Sequence, residues 1–282
     1  MANALNIFQG DFGRVALLHM DHSLVVHAHP HCHVLIKLSG ADGAFNVRGT
    51  TCPLTDESLV LVNAWEPHSY LHQAPDDGTV ILALYIQPEW LAAFALILAR
   101  SGRPDFFAAP VGWIAPRVRT AANTLAEAIR GDSSDEDRLE RVVMLMMAIA
   151  EEFSACKHKI PSAPPGCMRP SDYRIRKALA FLHDNVGTCF TLREVARQSG
   201  LSRSHMFHLF QSDLKISPNL YFNALRVEAA IDRLAQGQEP LADLSESLGF
   251  SMQSHFTRFF RNNIGINPSE YRRVVSFSQN FS

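Results

Sequence analysis

The sequence predicts an α+β protein of more than one domain: a small N-terminal β-barrel, then helices, then an all-α region built as a tandem helix-turn-helix. Three observations predict it. Residues 5–87 hold short apolar runs cut by Gly, Pro, Asp or Asn. The last hundred or so residues repeat themselves. Between the two lies Ile160–Pro170, whose four prolines and one glycine cannot continue a helix and read as a linker.

The chain has 282 residues, enough for two cores, and 47% hydrophobic with 19% charged residues excludes a disordered chain. The opening MANALNIFQGDFGR has no basic stretch followed by an apolar run, so no signal peptide is expected. Its most apolar run, Trp90–Ala99, is far short of the ~20 residues needed to cross a bilayer. A cytoplasmic location without membrane contact is therefore expected. Five cysteines, an odd number and without CxxC spacing, point to reduced thiols and not to a disulfide framework. The net charge of −2 conceals an asymmetry. Residues 1–168 carry 12 Lys+Arg against 18 Asp+Glu, and residues 169–282 carry 14 against 10, so the C-terminal part is the basic one.

The predicted boundaries follow these shifts: a β domain over 1–88, a helical segment over 89–158, a linker over 159–171 and the tandem unit over 172–275. Strands are expected at His33–Leu38, Ala44–Val47 and Ser58–Val62. Helices are expected at Glu89–Arg100, behind Pro88 at the first helical position, and at Arg117–Arg130. Ser133 and Glu136 suggest a capping box that opens a third, over Ser134–Ala155. Its stripe of Leu139, Val142, Val143, Met146, Met147, Ile149, Ala150 and Phe153 has helical spacing. Such a stripe serves either as intramolecular core or as the seam of a homodimer.

The repeat carries the functional reading. Leu192-Arg-Glu-Val195-Ala196 matches Leu241-Ala-Asp-Leu244-Ser245, and Gly200-Leu-Ser202 matches Gly249-Phe-Ser251, at an offset of 49. Ser204-His205-Met206 matches Ser254-His255-Phe256, Pro218 matches Pro268 and Tyr221 matches Tyr271, at an offset of 50. One extra residue therefore lies in the second copy's turn. Each copy reads as a short helix, a glycine turn and a second helix. Thr191 with Glu194 caps the first helix, and Gly200 supplies the left-handed turn. Ser202 caps the second helix, and Ser251 is its expected counterpart. Met206, Leu209, Phe210, Phe256, Phe259 and Phe260 face inward. Arg203, Ser204, Phe207 and His208, and in the second copy Gln253, Ser254, Thr257 and Arg258, are left on the outer faces, where side chains can read base edges. A plain helical bundle would not require two Gly turns with a matching Pro and Tyr.

The stretch GFSMQSHFTRFFRNNIGINPSEYRR resembles the signature of the AraC/XylS family, and LRVEAAIDRLA within Asn223–Ala235 resembles the helix that joins its two units. The resemblance covers about Tyr173 to Arg273. It implies that the outer residues named above enter successive major-groove segments, with promoter DNA and RNA polymerase as partners. His208 stands where the family often has Arg, which implies a weaker contact there.

His27-Ala-His29-Pro-His31-Cys-His33 is the other unusual feature, followed by Pro67-His68 and His72. Alternate residues of a strand share a face, so the four imidazoles can point the same way. The region resembles a cupin barrel, a sensory domain common in this family. His27, His29, His33 and Gly40 keep the first cupin metal spacing, with His33 where Glu is usual, and His68 falls at the second motif. The resemblance implies one divalent transition metal, zinc, nickel, copper or iron, on His27, His29, His33 and His68. The competing reading makes these histidines the lining of a pocket for an organic effector, with Trp65 and Tyr70 available to pack on it. The expected function is a DNA-binding transcription regulator that responds to a small molecule or metal, with no catalytic group. The rival is a metal-dependent cupin enzyme fused to a DNA-binding unit. Only Asp56, Glu57 and Glu66 offer carboxylates nearby, and turn or surface roles account for them.

Overall fold

The computed structural model describes residues 3–73, 77–91, 106–153, 172–188, 190–237 and 239–277. The expected linker, most of the expected Glu89–Arg100 helix, and Cys156, Cys167 and Cys189 lie outside them. Eight strands fill the first eighty-six residues: β1 (Asn3–Gly10), β2 (Gly13–Met20), β3 (Cys32–Gly40), β4 (Gly43–Val47), β5 (Thr50–Leu54), β6 (Ser58–Val62), β7 (His68–Leu71) and β8 (Thr79–Ile86). A short β9 (Val111–Trp113) pairs with β6. With β10 (Val275–Phe277), they form a large sheet in the order β10-β1-β2-β8-β3-β6-β9 and a small one in the order β5-β4-β7.

Strand alternation explains both faces of the large sheet. Ala16, Leu18, Leu35, Ile81 and Ala83 turn toward Phe45, Val47, Cys52, Leu54 and Tyr70 of the small sheet. Val15, Leu17, Val34, Ile36, Leu82 and Leu84 turn the other way. That outer face is covered by α1 (Pro116–Arg130) and α2 (Asp135–Phe153), through Val118, Leu125, Ile129, Val142, Leu145 and Ile149. Each such side chain contributes roughly 1.5–3 kcal/mol on full burial. The stripe of α2 takes the first of its two expected roles, and one expected cap moves. The apolar stripe of α2 packs mainly on the sheet of its own chain, and Met144 and Met147 are the large apolar side chains that this helix exposes. Its cap is Ser134, whose hydroxyl accepts from the Asp137 N–H, one residue later than expected.

The helical half comprises α3 (Tyr173–Asp184), α4 (Leu192–Gln198), α5 (Arg203–Leu209), α6 (Pro218–Gln236), α7 (Leu241–Ser247), α8 (Gln253–Ile264) and α9 (Pro268–Val274), then the strand β10 (Val275–Phe277). One turn of π-helix, Phe210–Leu214, extends α5. The first unit closes on its own core of Ile175, Ala178, Leu182, Val195, Met206 and Phe210. The second does not. Its Leu244, Phe256, Phe260, Ile264 and Tyr271 join α6 and the barrel interior in one contiguous apolar core. At the α8–α9 turn, Gly265 approaches Met20 and Leu24 of the barrel so closely that a β-carbon there would stand 3.1 Å from the Met20 methyl. β10 then adds in parallel to β1, with Ile7 opposite Val275.

Candidate metal centre and nucleic-acid interface

In the first helix pair the expected chemistry is present. Thr191 and Glu194 form a reciprocal capping box, Gly200 has φ +70°, and the Ser202 hydroxyl accepts from the His205 N–H at 3.2 Å. In the second pair Gly249 takes φ +75°, but α8 starts behind Met252, with no side-chain cap. Ser251 is therefore not the cap. The extra residue in this turn moves the helix start past it. Pro218 and Pro268 each open a helix at its first turn, where a missing N–H costs nothing.

The outer faces correspond position by position. Arg203, Ser204 and His208 are exposed and Phe207 is half-buried; Gln253, Ser254 and Arg258 are exposed and Thr257 is half-buried. The inward residues Met206, Phe210, Phe256 and Phe260 are buried, while Leu209 and Phe259 are half-buried. Beside α8 an open cleft of about 630 Å³ has Gln253, Ser254, Thr257 and Arg258 on one side and His22, from the β2–β3 connection, on the other.

That connection also brings the histidines together. His27 and His68 form a backbone bridge, each N–H donating to the other's carbonyl at 2.9 Å. One ring nitrogen from each of His27, His29 and His68 lies within 4.8 Å of the other two, and all three residues are buried. The Nδ1 atoms contact carbonyl oxygens: His27 at Val25 (2.8 Å), His29 at His31 (3.0 Å) and His68 at Glu66 (2.8 Å). A carbonyl only accepts, so each Nδ1 carries the proton and each Nε2 offers a lone pair. This is the orientation that metal-bound imidazoles adopt. Nε2 of His68 is buried with no partner.

His33 stands differently from the other three. Its Nδ1 donates at 2.9 Å to His29 Nε2, a bond that a metal on His29 would have to displace, and His33 is outside the set that converges within 4.8 Å. Three histidines therefore meet directly, and the fourth reaches them through His29. Burial, first of all, pushes all four imidazoles below their ordinary range, so they are neutral at pH 7, the form in which they ligate. His31 is pushed down to about 4, again by burial. It faces Glu228 of α6 at 3.7 Å. His72 lies 3.4 Å from the Tyr70 hydroxyl, away from the cluster.

Several residues acquire roles that sequence reasoning missed. Arg14, buried in β2, makes two bonds to the Glu228 carboxylate, at 2.9 and 3.2 Å, and its guanidinium lies 4.1 Å over the Tyr85 ring. The Tyr85 ring lies 4.0 Å from that of His33, tilted by 40°. Trp65 is half-buried and stacks at 4.6 Å on Tyr221 of α6, while Tyr70 is buried in the barrel. The space beside His27 and His29, bounded by Arg14, Tyr85, Glu228 and Asn263, is only about 10 Å³, room for a single small guest. Glu66 is a turn residue: its carboxylate accepts from the Asn63 N–H and pairs with Arg48.

A barrel with a histidine centre, joined to paired helix-turn-helix units, defines a class: two-domain proteins in which a ligand-binding domain is coupled to a helix-turn-helix domain. Residues 11–149 match the AraC-like ligand binding domain, and residues 195–274 match a helix-turn-helix domain. The chain belongs to the AraC family of regulators. It is 33% identical over 104 residues to the arabinose operon regulatory protein of Escherichia coli, covering 36% of each chain. It is 23% identical over 154 residues to the lactose operon transcription activator of Staphylococcus xylosus, covering 55% of this chain and 53% of that one. The matched region spans about a third of the length of the first-matched curated relatives. An apo form of ToxT from Vibrio cholerae shares the architecture, with a TM-score of 0.60 over 95% of this chain and 98% of that one at 12% identity. The relatives are named as transcription regulators, not as enzymes. No helix among the described residues is long and apolar enough to cross a membrane.

Proposed function

We propose that this chain is a transcription regulator that binds promoter DNA through both helix-turn-helix units and holds one divalent transition metal on His27, His29 and His68, with His33 as the adjoining fourth histidine. The observation that carries the DNA reading is the equal exposure pattern of the two second helices, each presenting four residues outward from a capped or glycine-turned frame. RNA polymerase and a second copy of the chain are the further partners of this reading. The metal is favoured over an organic effector for two reasons. The barrel interior is filled by its own side chains, among them Leu35, Phe45, Val60 and Tyr70. The space beside His27 and His29 is about 10 Å³, too small for an organic molecule. When bound, the metal supplies charge and cross-linking. The chain's own residues orient the ligands through the Val25, His31 and Glu66 carbonyls and keep them neutral by burial.

Two measurements test this. Metal content of the purified protein, taken beside a His29→Ala/His68→Ala double mutant, should give near-stoichiometric metal in the wild type and none in the mutant. Failure to bind zinc, nickel, copper or ferrous iron offered in turn refutes the metal centre. With an operator selected from a genomic library, Arg258→Ala should weaken binding by roughly 1–3 kcal/mol, about 5- to 150-fold. Unchanged affinity in a folded mutant removes Arg258 from the interface.

A further inference from the structure

We infer that the barrel itself touches DNA: the cleft between α8 and the β2–β3 connection is a site for a backbone phosphate of the target duplex, held by Arg261 of α8 and by His22 of the connection. This rests on the DNA reading above and not on the metal.

The cleft has the chemistry of an anion site. Its described lining is polar throughout, with two arginines, Arg258 and Arg261, and no carboxylate. Neither guanidinium makes an ion pair with another described residue. The two stand three residues apart on one helix, a spacing at which like charges repel, and an anion between them and His22 relieves that repulsion. Asn267, also in the lining, opens α9 without a side-chain cap bond, which leaves its amide to the cleft.

The place of Arg261 on α8 makes that anion a strand of DNA. Arg258 is among the outward residues that read bases, and Arg261 follows it by one step of three residues, about 4.5 Å along the helix axis. A helix in a major groove about 12 Å wide has a phosphate backbone along either wall. The next residue along the same face therefore meets the wall, where Arg, Ser, Thr and Asn are the usual partners of phosphate oxygens. His22 borders the same cleft from the barrel side. Its backbone is held from both sides: the His72 N–H donates to the Ser23 hydroxyl at 3.0 Å, the Leu24 N–H to the Tyr70 carbonyl at 3.1 Å, and the Val25 N–H to the Asn262 carbonyl of α8 at 3.4 Å. Its ring is held as well. A carboxylate only accepts, so Nδ1 donates to Asp21 at 2.8 Å, and Nε2 is the nitrogen left for the phosphate. The ring that meets a phosphate oxygen carries a proton on both nitrogens, one for each acceptor. Rings and loops fixed in advance lose little freedom on binding.

Phosphate-ethylation interference with the full-length chain tests this, on an operator selected from a genomic library. A flanking phosphate whose ethylation weakens wild-type binding should cease to matter in His22→Ala and in Arg261→Gln. Each variant should lose affinity by about 3- to 10-fold. The loss should be the same on the operator as on unrelated DNA, because a phosphate contact carries no sequence information. Arg261→Gln should also flatten the fall of log affinity with log salt by about 0.9. Unchanged interference and affinity in His22→Ala, where Arg258→Ala still loses binding, overturn the barrel contact and leave the DNA reading standing. A gain of affinity in His22→Ala makes the connection an obstacle to the duplex and overturns the contact too. So does inorganic phosphate that binds the wild type at millimolar concentration and not Arg261→Gln, with the interference pattern of His22→Ala unchanged: the cleft is then a small-anion site. If the wild type binds no DNA, both readings fall.

Discussion

Replacing Glu228 with alanine strands Arg14. The Arg14 side chain is 5% exposed, and Glu228 gives it two hydrogen bonds and its balancing charge. The Tyr85 ring remains as a neighbour, but a ring face does not replace a carboxylate. Breaking a buried ion pair by removing one partner costs about 3–5 kcal/mol, because the survivor is left charged in a poor solvent. At roughly 2–4 °C per kcal/mol for chains of this size, the melting temperature should fall by roughly 6–20 °C. Circular dichroism against temperature measures this. The paired swap Arg14→Met with Glu228→Leu is the control: it removes both charges and should recover most of the loss, since apolar replacements of buried pairs are often neutral or better. A loss below about 1 kcal/mol in Glu228→Ala would place this pair with ordinary surface salt bridges and refute its role in joining the halves.

Acid should act on the same contact. Burial alone would raise the Glu228 carboxyl, but the charges of Arg14 and His31 and the Arg14 hydrogen bonds outweigh it and hold it below the usual range. A depressed carboxyl contributes stability above its unfolded value, about 4.3, and loses it as pH falls through the folded one. Scattering should therefore show the halves docked at pH 5 and parting only in stronger acid; parting at pH 5 to 6 contradicts this. Gly200→Ala has open space around its new methyl but is held at φ +70°, so the cost should be backbone strain alone, about 1–2 kcal/mol, read by urea denaturation. Gly13→Ala should be far worse, since its β-carbon would fall 2.1 Å from the Tyr85 carbonyl oxygen, and a well-folded Gly13→Ala protein would refute that approach. Thr191→Ala removes the capping box of α4 and should cost about 0.5–2 kcal/mol by the same denaturation assay.

The parts of this fold that were legible in the sequence are local. Gly200, Ser202, Thr191 and the period of Met206 and Phe210 specify the helix pairs through turn and cap chemistry, and the repeat made the reading firm. The histidine spacing marked its cluster because alternation along an extended segment is also a local rule. The cap at Ser134 in place of Ser133 is a one-residue difference between two adjacent serines, which the pattern cannot resolve. Other features had no local signal. Arg14 and Glu228 are 214 residues apart in sequence, and neither stands in a motif. The stacking of Trp65 on Tyr221 is equally remote. The standing of His33 apart from the other three histidines goes with its bond to His29, which depends on side-chain torsions and not on spacing. Net charge hid the DNA-binding half, and only the split at the linker exposed it.

The shared core of the second unit has a practical meaning for anyone who cuts or recombines this chain. The proline-rich boundary looks like the natural place to exchange one reading head for another, and for the first unit, with its separate core, it is. For the second unit the same cut tears apolar side chains such as Ile264 and Tyr271 away from Met20 and the barrel. A fragment that begins at residue 172 should be sticky in solution, and a chimera that borrows the sensor from a relative should fail unless the faces of α6 and α9 that touch the barrel are borrowed with it.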